Sequence, residues 1–154
     1  MPLHGLAAVK KAIRKNKKEA NELIKAVYLD GLGQIVSGTP ADKGRARNNW
    51  FLTVGQPFGL ESNGRTTNKT GAWSMMSIGT MPKNVLNKKI YFTNNLPYIE
   101  TLEYGGFPNP VKQGSYIKRS KSYEKLSSGG FSKQAPSGWV RSTLILMQNK
   151  IRSS

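Results

Sequence analysis

Between residues 5 and 37 apolar side chains recur every three or four positions. Placed at about 100° per residue, Val9, Ile13, Ala20, Leu23, Ile24, Val27, Gly31 and Ile35 share one arc. Lys10, Lys11, Arg14, Lys15, Lys17 and Lys18 fall together on the other side. The pattern predicts one long helix, which at about 1.5 Å per residue reaches roughly 50 Å. Asp30, Gly31 and Gly33 weaken its last turns, because glycine costs about 1 kcal/mol in a helix interior. Gly31 lies on the apolar arc, where a missing side chain lets another backbone come close.

The period changes in "TPADKGRARNNWFLTVG", residues 39 to 55. Gly38 is expected to end the helix in a left-handed conformation. Thr39, Pro40 and Asp42 have the form of a new helix start, with a hydroxyl at N-cap, proline at N1 and a carboxylate at N3. Gly44 permits a sharp reversal. Trp50, Leu52 and Val54 then alternate with Phe51 and Thr53 at the strand period. Arg45 and Arg47 therefore stand at the start of a strand, with Asp42 placed to pair with Arg45.

Residues 56–71 read as a polar loop, and 72–78 fit a short helix or a strand equally. Residues 88–95 read as a strand with Ile90 and Phe92 on one face. Residues 96–106 read as a short helical turn opened by Pro97 and stopped by Gly105. Near the C-terminus Trp139, Val140, Leu144, Leu146, Met147 and Ile151 fit one helical arc, with Ser137 as its cap. The resulting expectation is one α+β domain over 1–154. It has a long N-terminal helix, a small mainly antiparallel sheet, a long basic loop and a C-terminal helix. Trp50, Phe92, Tyr98 and Trp139 each fall on an apolar face and are expected to anchor a core or an interface.

Residues 108–136 are polar and aperiodic. They are expected to form an extended loop that orders only in an assembly, since low hydrophobicity does not offset ordering entropy. Lys112, Lys118, Arg119, Lys121, Lys125 and Lys133 lie in it, interleaved with Tyr116, Tyr123 and Phe131. That arrangement suits a single strand of nucleic acid or a protein partner.

Composition sharpens this. The 154 residues carry 24 Lys+Arg against 8 Asp+Glu, a formal charge of +16. Such an imbalance favours a polyanion: nucleic acid, an acidic protein or an anionic membrane. A hydrophobic fraction of 37% implies a thin core, or one completed by an assembly. Cysteine is absent, which removes disulfides, thiolate metal sites and cysteine catalysis. His4 is the only histidine, so a His-based triad or multi-His metal site is excluded.

"GLGQIVSG" lacks both the following lysine and the preceding strand of a phosphate loop. Glu100 and Glu103 share a helix face and read as surface salt-bridge residues. No enzyme and no cofactor are expected. There is no signal-peptide core and no run near the roughly 20 apolar residues of a membrane span, which reads as a soluble protein made in a cytoplasm. Six bases fall between Lys10 and Lys18 with no acid before Glu19. Like charges at i,i+4 disfavour the helix by a few tenths of a kcal/mol each, and an anionic neighbour would relieve them. From residues alone, a basic protein that contacts nucleic-acid phosphates without sequence preference stays open beside a partner-binding role.

Three ordered segments add a resemblance. "TPADKGRARNNW" at 39–50, "IYFTNNLPYIETLEYGG" at 90–106 and "KQAPSGWVRSTL" at 133–144 resemble the tail-completion, or neck, proteins of tailed bacteriophages, the gp10-like tail-component family. The likeness covers roughly residues 20 to 150. Lys43 stands where the family pattern carries a small residue such as Thr, and the 108–133 loop is longer and more basic.

The resemblance implies a non-enzymatic virion protein, assembled in the host cytoplasm. It implies a homo-oligomeric ring, expected to be a hexamer, at the head–tail junction. Its neighbours would be connector or portal-adaptor proteins and tail proteins, and genome DNA would thread its channel. The fold or interface motif carried over is Thr39, Pro40, Asp42, Gly44, Arg45, Arg47, Trp50, Asn94, Asn95, Pro97, Tyr98, Glu103, Tyr104, Gly105 and Trp139. Candidate contacts to DNA or partners are the six bases from Lys10 to Lys18 with Lys112, Lys118, Arg119, Lys121 and Lys125.

Overall fold

A computed structural model describes residues 5–41, 43–62, 64, 68–106, 116–117, 122–123, 131 and 138–154. The apolar arc produces a single helix, α1, over Leu6–Gly38. It is followed by α2 (Arg45–Asn48), β1 (Phe51–Val54), α3 (Ala72–Ile78), β2 (Ile90–Thr93) and α4 (Ile99–Tyr104). Two short strands, β3 (Tyr116–Ile117) and β4 (Ser122–Tyr123), precede α5 (Val140–Arg152). The architecture is α+β, with a long N-terminal helix, a small antiparallel sheet and a C-terminal helix.

β1 and β2 pair antiparallel, with Leu52 opposite Phe92 and Val54 opposite Ile90. The other edge of β1 is closed by a helix. The N–H groups of Trp50 and Leu52 point away from β2 and donate to the Ser74 and Ser77 hydroxyls of α3. A strand edge must satisfy its backbone groups somehow, and two serines at i,i+3 do so here. This resolves residues 72–78 as a helix. β3 pairs with β4 in a separate two-stranded ribbon. Apart from Phe131, the rest of 107–137 lies outside the described residues, and with it most of the expected basic loop and Lys112, Lys118, Arg119, Lys121, Lys125 and Lys133. Asp42 and Ser137 lie outside them as well.

The core joins Leu32, Ile35 and Val36 of α1 to Ala46, Trp50, Leu52, Ile78, Met81, Val85, Leu96, Leu102 and Trp139. Trp50 stacks on Phe92 at 5.0 Å between ring centroids, and Tyr98 packs half-buried against the same cluster. α5 runs antiparallel along the C-terminal half of α1. Trp139 meets Gly38, Met147 meets Gly31, and Lys150 pairs with Asp30 at 2.6 Å. A Cβ at Gly31 would overlap the Met147 side chain, so this glycine makes room for a side chain of α5 and not for another backbone.

The C-terminal arc is corrected. Trp139, Thr143 and Met147 are buried, whereas Leu144, Leu146 and Ile151 are exposed. The buried stripe therefore includes a threonine, whose hydroxyl donates to the Trp139 carbonyl at 2.7 Å.

Candidate functional site

The corner after α1 differs from the expected helix cap. Gly38 stays helical and gives room to the Trp139 ring, 3.0 Å from where its Cβ would stand. Thr39 caps the end of α1 rather than opening a new helix. It is fully buried, and its Oγ1 donates to the Ile35 carbonyl at 2.7 Å. The same oxygen accepts the indole N–H of Trp50 at 2.9 Å and that of Trp139 at 3.1 Å. Pro40 is buried beside it.

Gly44 makes the expected reversal at φ +84°, and a Cβ there would strike the Asn68 carbonyl. A short helix follows it. Arg45 and Arg47 therefore lie in α2 and not at a strand start, because the side chains of Asn48 and Asn49 hold that turn closed. Asn48 and Asn49 donate to the carbonyls of Gly44 and Arg45 at 3.0 and 2.8 Å. Both amides also reach the following loop, at Asn68 and Ser62. The guanidinium of Arg47 donates to the carbonyls of Ser37, Thr39 and Lys69 at 2.8–2.9 Å. It closes the end of α1. Arg45 pairs with Glu61 at 3.1 Å.

The second segment of the motif is equally structural. Asn94 donates to the Ala46 carbonyl, and Asn95 to those of Phe58 and Leu60. Pro97 is exposed, Tyr98 precedes α4, and Gly105 ends it at φ +80°. Burial raises the pKa of the Tyr98 phenol.

Glu103 is not a surface salt-bridge residue. It is 6% exposed and its carboxylate caps α5 from outside that helix. It accepts the backbone N–H groups of Trp139, Val140 and Arg141 at 2.9–3.0 Å. The Arg141 guanidinium adds a bond at 2.9 Å and lies over the exposed Tyr104 ring at 4.5 Å. Burial alone would raise the Glu103 pKa. The four hydrogen bonds outweigh it and hold the carboxyl below its ordinary value. A carboxylate at a helix N-terminus also meets the favourable end of the helix dipole. Sequence gave no sign of this cap, because its donors lie on another element, far along the chain.

The basic stretch lies apart from that corner. α1 is exposed from Leu6 to Ala20, and its tertiary hydrogen bonds begin at Asn21. Lys10, Lys11, Arg14, Lys15, Lys17 and Lys18 all sit on this arm. Lys15 makes one loose i,i+4 contact with Glu19, at 3.8 Å. Leu6, Val9 and Ile13 continue the buried apolar arc along the arm, where each is about half exposed. Asn21 ties the arm to the loop before β2. Its amide donates to the Lys83 carbonyl at 2.9 Å, and its oxygen accepts the Val85 N–H at 2.8 Å. The backbone of Lys83 is thereby held beside the basic arm. This contact is not visible in the sequence, because the pinning residue is a single asparagine 62 positions from Lys83.

A recess of about 430 Å³ lies between α1 and α3. Its one acid, Asp30, is already bonded to Lys150 and Gln34, which lower its pKa. Among the described residues no group of three His, Asp or Glu side chains is placed to hold a metal ion, and no helix is long and apolar enough to cross a membrane. No protein-family model, curated protein or solved structure matches the chain.

Proposed function

We propose that this protein is a non-enzymatic structural subunit of a ring at the head–tail junction of a tailed bacteriophage, of the tail-completion or neck type. The observation that carries the reading is the α1 arm. Leu6, Val9 and Ile13 extend the line of the core-facing arc into solvent, while six bases spread over the rest of the arm's circumference. An apolar stripe continuous with a core calls for a protein surface to cover it. α5 offers further uncovered apolar side chains at Leu144, Ile145 and Leu146. Head-to-tail contact between two such unlike surfaces closes into a ring when its rotation permits. A ring of subunits with a charge of +16 suits passage of DNA, or contact with acidic neighbouring rings.

The partners on this reading are further copies of the chain, expected as a hexamer, with connector and tail proteins above and below. The ordered resemblance of the three motif segments supports it. The basic arm also favours a second reading, a monomeric or dimeric protein that binds nucleic acid without sequence preference. Light scattering on nuclease-treated protein separates the two. The ring reading expects a closed oligomer without nucleic acid. A small species that binds duplex tightly would replace it with the second reading.

A further inference from the structure

Where the arm leaves the body there is a recess of about 300 Å³ lined by Lys17, Lys18, Asn21, Asn84, Leu86 and Asn87. The geometry points to this recess as a seat for one backbone phosphate of duplex DNA. The inference rests on the reading that DNA passes along this protein, and it assigns the contact to a particular place.

Three observations carry it. First, the helix side of the recess is a spaced stripe. Arg14, Lys17, Lys18 and Asn21 follow i, i+3, i+4, i+7 and so lie on one face. Second, the loop side is pinned there. The two bonds from Asn21 to Lys83 and Val85 fix the loop against the helix. Asn87 is held at φ +59°, the sole non-glycine positive φ among the described residues. Third, the lining suits an oxyanion. The side-chain amide oxygen of Asn84 accepts the Leu86 N–H at 3.1 Å, and its NH₂ group remains a donor. The lining residues are two lysines, three asparagines and a leucine, with no acid among them. Lys83 and Lys88 flank it in the same loop. Ammonium and amide donors without an acid are the set that phosphate oxygens accept from. A recess lined this way reads no base edge, so the contact positions DNA and does not select sequence.

The experiment uses the full chain with three variants: Lys17→Gln/Lys18→Gln, Asn84→Asp/Asn87→Gly, and Lys43→Gln/Lys69→Gln as a charge-matched control at the Gly44 corner. Glycine keeps the positive φ at position 87, and aspartate keeps the acceptor at 84. Thermal melts and light scattering accompany each variant, so a loss of ring assembly is read separately from a loss of DNA binding.

Duplex DNA is titrated at several salt concentrations. Lys17→Gln/Lys18→Gln should flatten the log K against log salt slope by about 0.9, the value for one phosphate neutralised. Asn84→Asp/Asn87→Gly should weaken binding at least about tenfold, and the control should do neither. The side-chain amide NMR signals of Asn84 and Asn87 should shift with duplex. Inorganic phosphate at equal ionic strength should move them far less.

Equal effects of control and recess variants would overturn the assignment while leaving the ring intact. So would an unshifted Asn87 amide. A shift with inorganic phosphate but not duplex would make this a free-anion site, and a stronger response to polyglutamate would make it a protein contact. Each result contradicts the DNA assignment.

Discussion

Trp50 and Trp139 donate their indole N–H groups to one oxygen, the Oγ1 of Thr39, from 11 and 100 residues along the chain. That hydroxyl joins the end of α1, the entry to β1 and the start of α5. Replacing Thr39 with Val removes the acceptor and leaves the Trp50 N–H buried without its partner. Trp139 keeps its second acceptor, the Ile35 carbonyl at 3.0 Å. Thr39→Val should cost about 1–3 kcal/mol in urea unfolding. Thr39→Ser should recover most of it, because it keeps the oxygen.

Glu103→Gln should cost about 1–3 kcal/mol near neutral pH, since a charged hydrogen-bond acceptor is lost at the start of α5. The folded-state pKa of Glu103 lies below its unfolded value. Its contribution is therefore full above the unfolded glutamate pKa, about 4.3, and fades as pH falls through the folded pKa. Denaturant melts of wild type and variant should stay a constant distance apart from pH 7 to about pH 5, then converge in acid. A constant gap at pH 3 would remove the carboxylate from this role.

Two glycines in one helix should respond with opposite signs. A Cβ at Gly31 overlaps the Met147 side chain, whereas one at Gly33 finds ordinary contact with Met75 at 3.7 Å. Gly33→Ala should stabilise by about 0.5–1 kcal/mol through helix propensity. Gly31→Ala has the same gain but an overpacking cost of about 1–3 kcal/mol, so its net effect should be destabilising. Thermal melts of the two variants make the comparison.

The long helix was legible because its apolar period runs unbroken to the corner. β1, β2 and α4 were legible from alternation, and from Pro97 and Gly105. What was misread depends on partners distant in sequence. Thr39-Pro40 has the local form of a helix start, yet the burial of two tryptophans draws the threonine into the core as a shared acceptor. α2 is a single turn held by the amides of Asn48 and Asn49, and four residues are too few for a period to register. Glu103 looks like any surface acid of a short helix until α5 is set against it. On α5, apolar pattern and burial part company. Thr143 is inside because its hydroxyl is satisfied by the helix backbone, while Leu144, Ile145 and Leu146 remain outside.

The exposed end of the α1 arc separates stability from assembly. Val9 and Ile13 are 55% and 48% exposed. Val9→Gln/Ile13→Gln should therefore leave the melting of an isolated subunit within about 0.5 kcal/mol per site. On the proposed reading it should weaken self-association strongly, measured by sedimentation at several protein concentrations. Unchanged association would place the subunit contact elsewhere.

On the proposed reading, copies of this chain close on themselves around DNA. Negative-stain electron microscopy of nuclease-treated, full-length protein tests it most directly. Ring-shaped particles of uniform subunit number, expected to be six, with an opening that passes a DNA duplex are the expected result. Uniformly small particles without an opening, at concentrations where Val9→Gln/Ile13→Gln and wild type sediment alike, would contradict it.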